Sequence, residues 1–167
     1  VAKNKAYPKQ AIGALKTILA KLALYRTDRL ARQRDALRDF YQDLVPETLR
    51  KSLGEFYTPD WLVEFATSQV KTQKWLGKRF LDPTCGSGSF LIEVLRRKRA
   101  EAEENGLDAQ TTLRFLCDEV WGFDLNPLAV QTSRVNFLME IAGLLADAGG
   151  IDIELPVLLA DAIYSPA

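Results

Sequence analysis

Three aspartates stand where an apolar run gives way to a turn. Asp82 follows Phe80-Leu81 and opens the stretch Asp82-Pro83-Thr84-Cys85-Gly86-Ser87-Gly88-Ser89-Phe90. Asp124 follows Val120-Trp121-Gly122-Phe123 and opens Asp124-Leu125-Asn126-Pro127. Asp161 follows Leu158-Leu159-Ala160 and precedes Ala162-Ile163. A carboxylate at the carboxyl end of a strand in a doubly wound sheet accepts hydrogen bonds from ribose hydroxyls, and Asp124 has that place. Asp161 is placed to receive the exocyclic amine of an adenine. Each of these two also reads, on its own, as a cap on the turn that follows.

Gly86 and Gly88 allow close backbone approach and unusual dihedrals. A helix starting after them presents N–H groups and a positive dipole end. A phosphate would suit that end, but Asp82 in front of the loop repels a pyrophosphate. The dinucleotide fingerprint fails because Leu91 stands where its third glycine belongs, and no Gly-Lys-Ser/Thr follows to make a Walker A loop. The three acidic strand ends describe a pocket for a nucleoside with a cationic tail. S-adenosylmethionine has that shape, with adenine, ribose, a sulfonium and an ammonium group.

The elements that must hold these residues are legible from periodicity. Phe80–Asp82, Val120–Asp124 and Leu155–Ala160 read as strands, the last so apolar that both sheet faces are expected to be covered. Ser87 to about Asn105 reads as a helix with Phe90, Leu91, Val94 and Leu95 on its core face. Its far end, RRKRAEAEEN, reads as a solvated helix end rather than a nucleic-acid patch. Asn126 caps a further helix that Pro127 starts and that runs to about Ala146. Between Asn105 and Val120 no element is assigned. Upstream, Thr58 is placed as N-cap and Pro59 as first residue of a helix to about Lys71. Two amphipathic helices, about Lys9–Tyr25 and one carrying Leu30, Leu37, Phe40, Tyr41 and Leu44, precede it. Alternating strand and helix imply right-handed crossovers and a parallel sheet.

Composition narrows the function classes. The chain has 167 residues and no histidine, so the commonest general base and metal ligand is missing. Two cysteines make neither a disulfide framework nor a zinc site, and no metal is expected. No apolar run spans a membrane and no signal-peptide pattern appears, so a cytoplasmic location is the default expectation. Net charge is zero, yet residues 1–50 hold eleven Lys/Arg against five Asp/Glu. Arginines and aspartates alternate there, which favours a solvated, salt-bridged surface over a DNA-binding face.

GEFYTP (Gly54–Pro59), DPTCGSGSF, GFDLNP and ADAI together resemble four consecutive motifs of the adenine-specific DNA methyltransferases of bacterial restriction–modification and related phage-defence systems. Those enzymes transfer a methyl group to the exocyclic N6 amine of adenine. The glycine-loop motif with Phe90 is specific only in combination with the upstream GEFYTP. The resemblance implies a partial Rossmann-like S-adenosylmethionine-dependent methyltransferase fold, an α/β domain over residues 51–167 with parallel strand order 3-2-1, behind a helical extension over residues 1–50. It implies that Tyr57, Thr58 and Pro59 flank the methionine part of the cofactor. Asp82, Pro83, Cys85, Gly86, Ser87 and Gly88 would lie beneath that part, with Asp82 holding the ammonium. Asp124 would bind the ribose, Leu125 would pack on the adenine, and Asp161 with Ala162 would meet its amine. Cys85 is then a small loop residue and not a nucleophile.

The family's catalytic Asn/Asp-Pro-Pro-Tyr/Phe tetrad, which grips and stacks on a flipped adenine, occurs nowhere in the 167 residues. Asn126-Pro127 is followed by Leu128 and belongs to the second-strand motif. No catalytic residue is therefore assigned. The chain reads as the cofactor-binding part of a larger enzyme that meets double-stranded DNA, itself unable to transfer a methyl group. The missing neighbour of the first strand leaves an open edge, through which the chain is expected to self-associate unless its own N-terminal helices cover that edge. The alternatives are a protein-glutamine or RNA methyltransferase, against which GEFYTP weighs, or a non-catalytic nucleotide-binding module.

Overall fold

Three short apolar segments pair side by side in parallel in the computed structural model, which describes Thr48 and residues 58–72 and 74–163. They are β1 (Phe80–Asp82), β2 (Val120–Asp124) and β3 (Val157–Leu159), in the order β1-β2-β3. The register sets Asp82 against Gly122 and Asp124 against Leu159, so the acidic ends of β1 and β2 lie at the same edge of the sheet. The helices are α1 (Asp60–Ser68), α2 (Ser89–Glu104), α3 (Ala109–Glu119) and α4 (Pro127–Asp147). Parallel order and the places of β1 and β2 are those expected from the sequence, whereas β3 is shorter than the expected Leu155–Ala160 and covers only Val157–Leu159. The two N-terminal helices, and Tyr57, lie outside the described residues.

Boundaries differ where local chemistry overrides the pattern. Pro59, rather than Thr58, occupies the N-cap of α1, and its carbonyl accepts from the Leu62 and Val63 N–H groups. Proline has no N–H of its own, so standing just outside the helix loses nothing. That helix stops at Ser68, short of Lys71. Helix α2 begins at Ser89, because Gly88 has a left-handed φ of 90° and serves as its cap. Asn126 caps α4 as expected, its side chain accepting from the Leu128 N–H at 2.9 Å. Helix α3 was not anticipated; Asp108 caps it by accepting from the Thr111 N–H at 2.7 Å.

The core lies between one sheet face and helices α2, α3 and α4. Leu91, Leu95, Leu113, Leu116, Val120, Val130, Phe137, Ile141 and Val157 are all at most 2% exposed. Alternation along the strands turns Leu81, Trp121 and Leu158 the other way, where they are 56, 37 and 39% exposed. Where cover on both faces of the sheet is expected from the sequence, this face is left partly exposed among the described residues. The apolar run of β3 faces helices at Val157 and remains exposed at Leu158 and Leu159 among the described residues.

The charged end of α2 is also not a plain solvated surface. Arg96 and Arg99 pair with Glu140 of α4, and Arg97 pairs with Glu93 while lying over the Trp75 ring. Lys98 is fully buried. Its ammonium donates to Glu119 at 2.5 Å and to the carbonyls of Trp75 and Lys78 at 2.5 and 2.7 Å. Burial pushes its pKa down, and Glu119 opposes that shift. Glu119 also accepts from the Gly77 N–H, and Glu101 from the N–H groups of Trp75 and Leu76. Three side chains thus fix the segment that leads into β1, and Trp75 stacks on Phe80 at 5.1 Å. Lys98→Ala leaves Glu119 as a buried anion without its cation, a change that costs about 3–5 kcal/mol in comparable pairs. Chemical denaturation is expected to show a loss of that size, and a loss below about 1 kcal/mol would contradict this assignment.

Candidate functional site

At the carboxyl edge of the sheet a cleft of about 670 Å³ opens, a size suited to a drug-sized ligand. Its walls include Thr58, Asp82, Pro83, Cys85, Gly86, Ser87, Asp124, Leu125, Asp161 and Ala162. Of the residues singled out from the sequence, these share one cavity. Pro59 and Gly88 are not on its walls; Gly88 sits behind the loop, against α4. Thr84, Ser89, Phe90, Asn126, Pro127, Ala129, Ala160 and Ile163 complete the lining.

The glycine loop is fixed to its neighbours through the backbone. The Cys85 N–H donates to the Phe123 carbonyl at 2.8 Å, and the Gly88 N–H to the Cys85 carbonyl at 2.7 Å. Gly86 adopts a φ of 53°. At Gly88 a side chain is excluded twice, by its φ and by Ser133, whose Oγ would lie 2.5 Å from an added Cβ. Gly122, in the middle of β2, meets the loop from below. A Cβ there would stand 2.6 Å from Leu91 Cδ1 and 3.1 Å from Cys85 Sγ.

All three carboxylates hold backbone N–H groups. Asp82 accepts from Thr84 at 3.1 Å and Asp161 from Ile163 at 2.9 Å. Asp124 accepts from Gly86 at 2.9 Å on one oxygen and from Asn126 at 2.8 Å on the other. The turn-capping reading is thus present in the structure, and it does not exhaust the groups. A carboxylate offers about four acceptor positions, so each retains capacity toward a ligand. Burial, with Asp124 nearby, raises the Asp82 carboxyl above the usual carboxylate value, and the Thr84 N–H opposes this. The Cys85 thiol is pushed up to about 12, chiefly by burial, against a Ser133 hydrogen bond and with Asp82 and Asp124 adding to the rise. It stays protonated at neutral pH and is a poor nucleophile.

The donor set tests which ligand fits. Among the described residues the cleft wall carries three carboxylates and no lysine or arginine. Such a wall disfavours a polyphosphate and suits a cation. The amino end of α2, starting at Ser89, supplies the complementary partial positive charge for a carboxylate. An adenosine bearing an amino-acid tail with a sulfonium satisfies both. Among the described residues no group of three or more His, Cys, Asp or Glu is arranged to hold a metal ion, and no helix is long and apolar enough to cross a membrane.

The parallel sheet, the glycine turn after β1 and the acidic strand ends define a Rossmann-like methyltransferase fold. The chain belongs to the N-6 DNA methylase family, whose model matches residues 32–147. It is 36% identical over 110 residues to the adenine-specific methyltransferase PglX of Streptomyces coelicolor, covering 62% of this chain and 9% of that protein. It is 29% identical over 111 residues to the type II methyltransferase M.VspI of a Vibrio species, covering 66% of this chain and 22% of that one. The chain therefore spans less than a quarter of either relative. Its fold is similar to part of the ATP-dependent type ISP restriction-modification enzyme LlaBIII bound to DNA, with a TM-score of 0.57 at 15% identity, over 89% of this chain and 12% of that one.

Sequence reasoning missed Gly122, Ser133 and Asn136, which support the loop without lining the cleft. A signal existed for two of them. A glycine inside a strand marks close backbone approach. An asparagine in the apolar stripe that contains Val130, Phe137 and Ile141 marks a buried polar partner.

Proposed function

We propose that this chain binds S-adenosylmethionine in the cleft and is the cofactor-binding part of a DNA methyltransferase acting on the N6 amine of adenine. The observation that carries the reading is one cleft at the carboxyl edge of the sheet that, among the described residues, is lined by three carboxylates and a glycine loop and by no lysine or arginine. Asp82 holds the ammonium, Asp124 the ribose hydroxyls with its remaining acceptor capacity, and Asp161 the adenine amine, while Leu125 packs on the base. Family membership and the resemblance to adenine-specific enzymes support the choice of reaction. The bound cofactor supplies the methyl group as an electrophile; the residues of this chain bind and orient it.

Calorimetry is expected to show binding of S-adenosylmethionine in preference to ATP and NAD. A preference for either nucleotide would overturn the reading. The pH dependence has a definite sign. Asp82 must be ionised to hold an ammonium, and its pKa is raised. Affinity is therefore expected to fall on acidification, beginning above the pH at which an ordinary aspartate protonates. Asp82→Asn is expected to lose roughly 1.5–3 kcal/mol at neutral pH, as for hydrogen bonds to charged groups, and to flatten the profile. A wild-type pH profile in that variant would refute the role of Asp82. Asp124→Ala is a less specific probe, because Asp124 also holds the Gly86 N–H.

The 167-residue chain alone is expected to transfer no methyl group, since it has no Asn/Asp-Pro-Pro-Tyr/Phe tetrad to position the amine. Labelled methyl appearing in DNA above a protein-free control would contradict this. The same reading assigns double-stranded DNA as the partner of the whole enzyme.

The edge of β1 away from β2 has no strand beside it among the described residues, and Leu81, Trp121 and Leu158 are exposed. We infer that this side binds a second copy of the chain. Light scattering is expected to show a mass that rises with concentration and falls in Leu81→Lys. A constant monomer mass would refute it.

A further inference from the structure

We propose that Asn136 is a positioning residue for the cofactor, acting through the peptide between Ser87 and Gly88. The inference rests on the reading of the cleft as an S-adenosylmethionine site. A peptide unit is planar, so its C=O and N–H move together. Both ends of this one are held. The Gly88 N–H donates to the Cys85 carbonyl at 2.7 Å, closing the turn. The Ser87 carbonyl accepts from Asn136 Nδ2 at 3.0 Å, in a buried bond between residues 49 apart in sequence. Asn136 is 3% exposed and Ser87 also 3%, so water cannot replace the donor.

One turn earlier on α4, Ser133 lies against Gly88 so closely that a Cβ on the glycine would meet its Oγ at 2.5 Å. Helix α4 therefore presents a two-residue seat to the back of the loop. Gly86, Ser87 and Ser89 of that loop line the cleft on its other side. The seat and the wall are two sides of one backbone, so the orientation of the peptide at Ser87 sets where the loop meets a ligand. Asn136 does not touch the cleft and has no part in its lining. Its effect on binding must pass through the loop. Helix α4 is itself anchored by Asn126, whose N–H is held by Asp124. The helix that follows the ribose-side turn thus sets the geometry of the methionine-side loop.

The test compares Asn136→Leu, which keeps the branched shape and removes the donor, with Thr132→Val. Thr132 is a buried residue on the same helix whose hydroxyl donates to the Leu128 carbonyl of that helix. In the full-length protein, calorimetry is expected to show S-adenosylmethionine binding weakened about tenfold by Asn136→Leu, the size of a lost buried hydrogen bond. Thr132→Val is expected to stay within about twofold of wild type. Without cofactor, the carbonyl carbon resonance of Ser87 is expected to shift in Asn136→Leu and not in Thr132→Val. Wild-type affinity in Asn136→Leu, or equal losses in both variants, overturns the positioning role alone. No binding by the unsubstituted protein overturns the reading of the cleft and this role with it.

Discussion

The carboxylate of Asp124 joins the two turns on which the cleft depends. Its oxygens accept from Gly86 and Asn126, so one side chain spans from the glycine loop after β1 to the start of α4. Gly86 and Asp124 are 38 residues apart, and two helices are inserted between them. Hydrogen bonds to a charged acceptor are the stronger kind, and this one closes a long connection at its open end. The backbone pair Cys85 to Phe123 runs beside it. Together they tie the glycine loop and the start of α4 to the end of β2.

What the sequence made legible follows from local rules. The ends of β1 and β2 showed as an apolar run meeting an aspartate, and the α4 start showed as Asn126-Pro127. Parallel order followed from alternation. Helix α3 escaped because it is eleven residues long and its core contacts, Leu113, Leu116 and Cys117, lie within little more than one turn, too short a stretch to set a period. Lys98 escaped because a lysine within Arg96-Arg97-Lys98-Arg99 reads as solvent-facing. Its burial is decided by Glu119, twenty-one residues on, and no local pattern contains that pairing. The site split in the same way. Residues that line the cleft sit in short contiguous motifs, whereas those that support it, Gly122, Ser133 and Asn136, sit on neighbouring elements.

The lysine network and the one-sided sheet are related. Among the described residues helices α2, α3 and α4 pack on one face of the sheet, and β1 is only three residues long with one paired neighbour. Few ladder bonds fix its entry. Lys98, Glu101 and Glu119 instead tie the preceding segment to α2 and α3. Buried ion pairs hold geometry more reliably than they add net stability. Here the geometry is that of a strand whose last residue is Asp82, so a network remote from the cleft fixes where its carboxylate stands.

Gly122 carries a different consequence, for how this sequence can change over time. Any side chain there would collide with Leu91 and Cys85 together. The three positions share one volume, and none can enlarge while the others stay as they are. Substitutions that are damaging singly become tolerable only in combination, with a smaller residue at 85 or 91 arriving before a larger one at 122. Mutational routes through the floor of the loop are thus ordered in time by a contact that has no chemistry of its own.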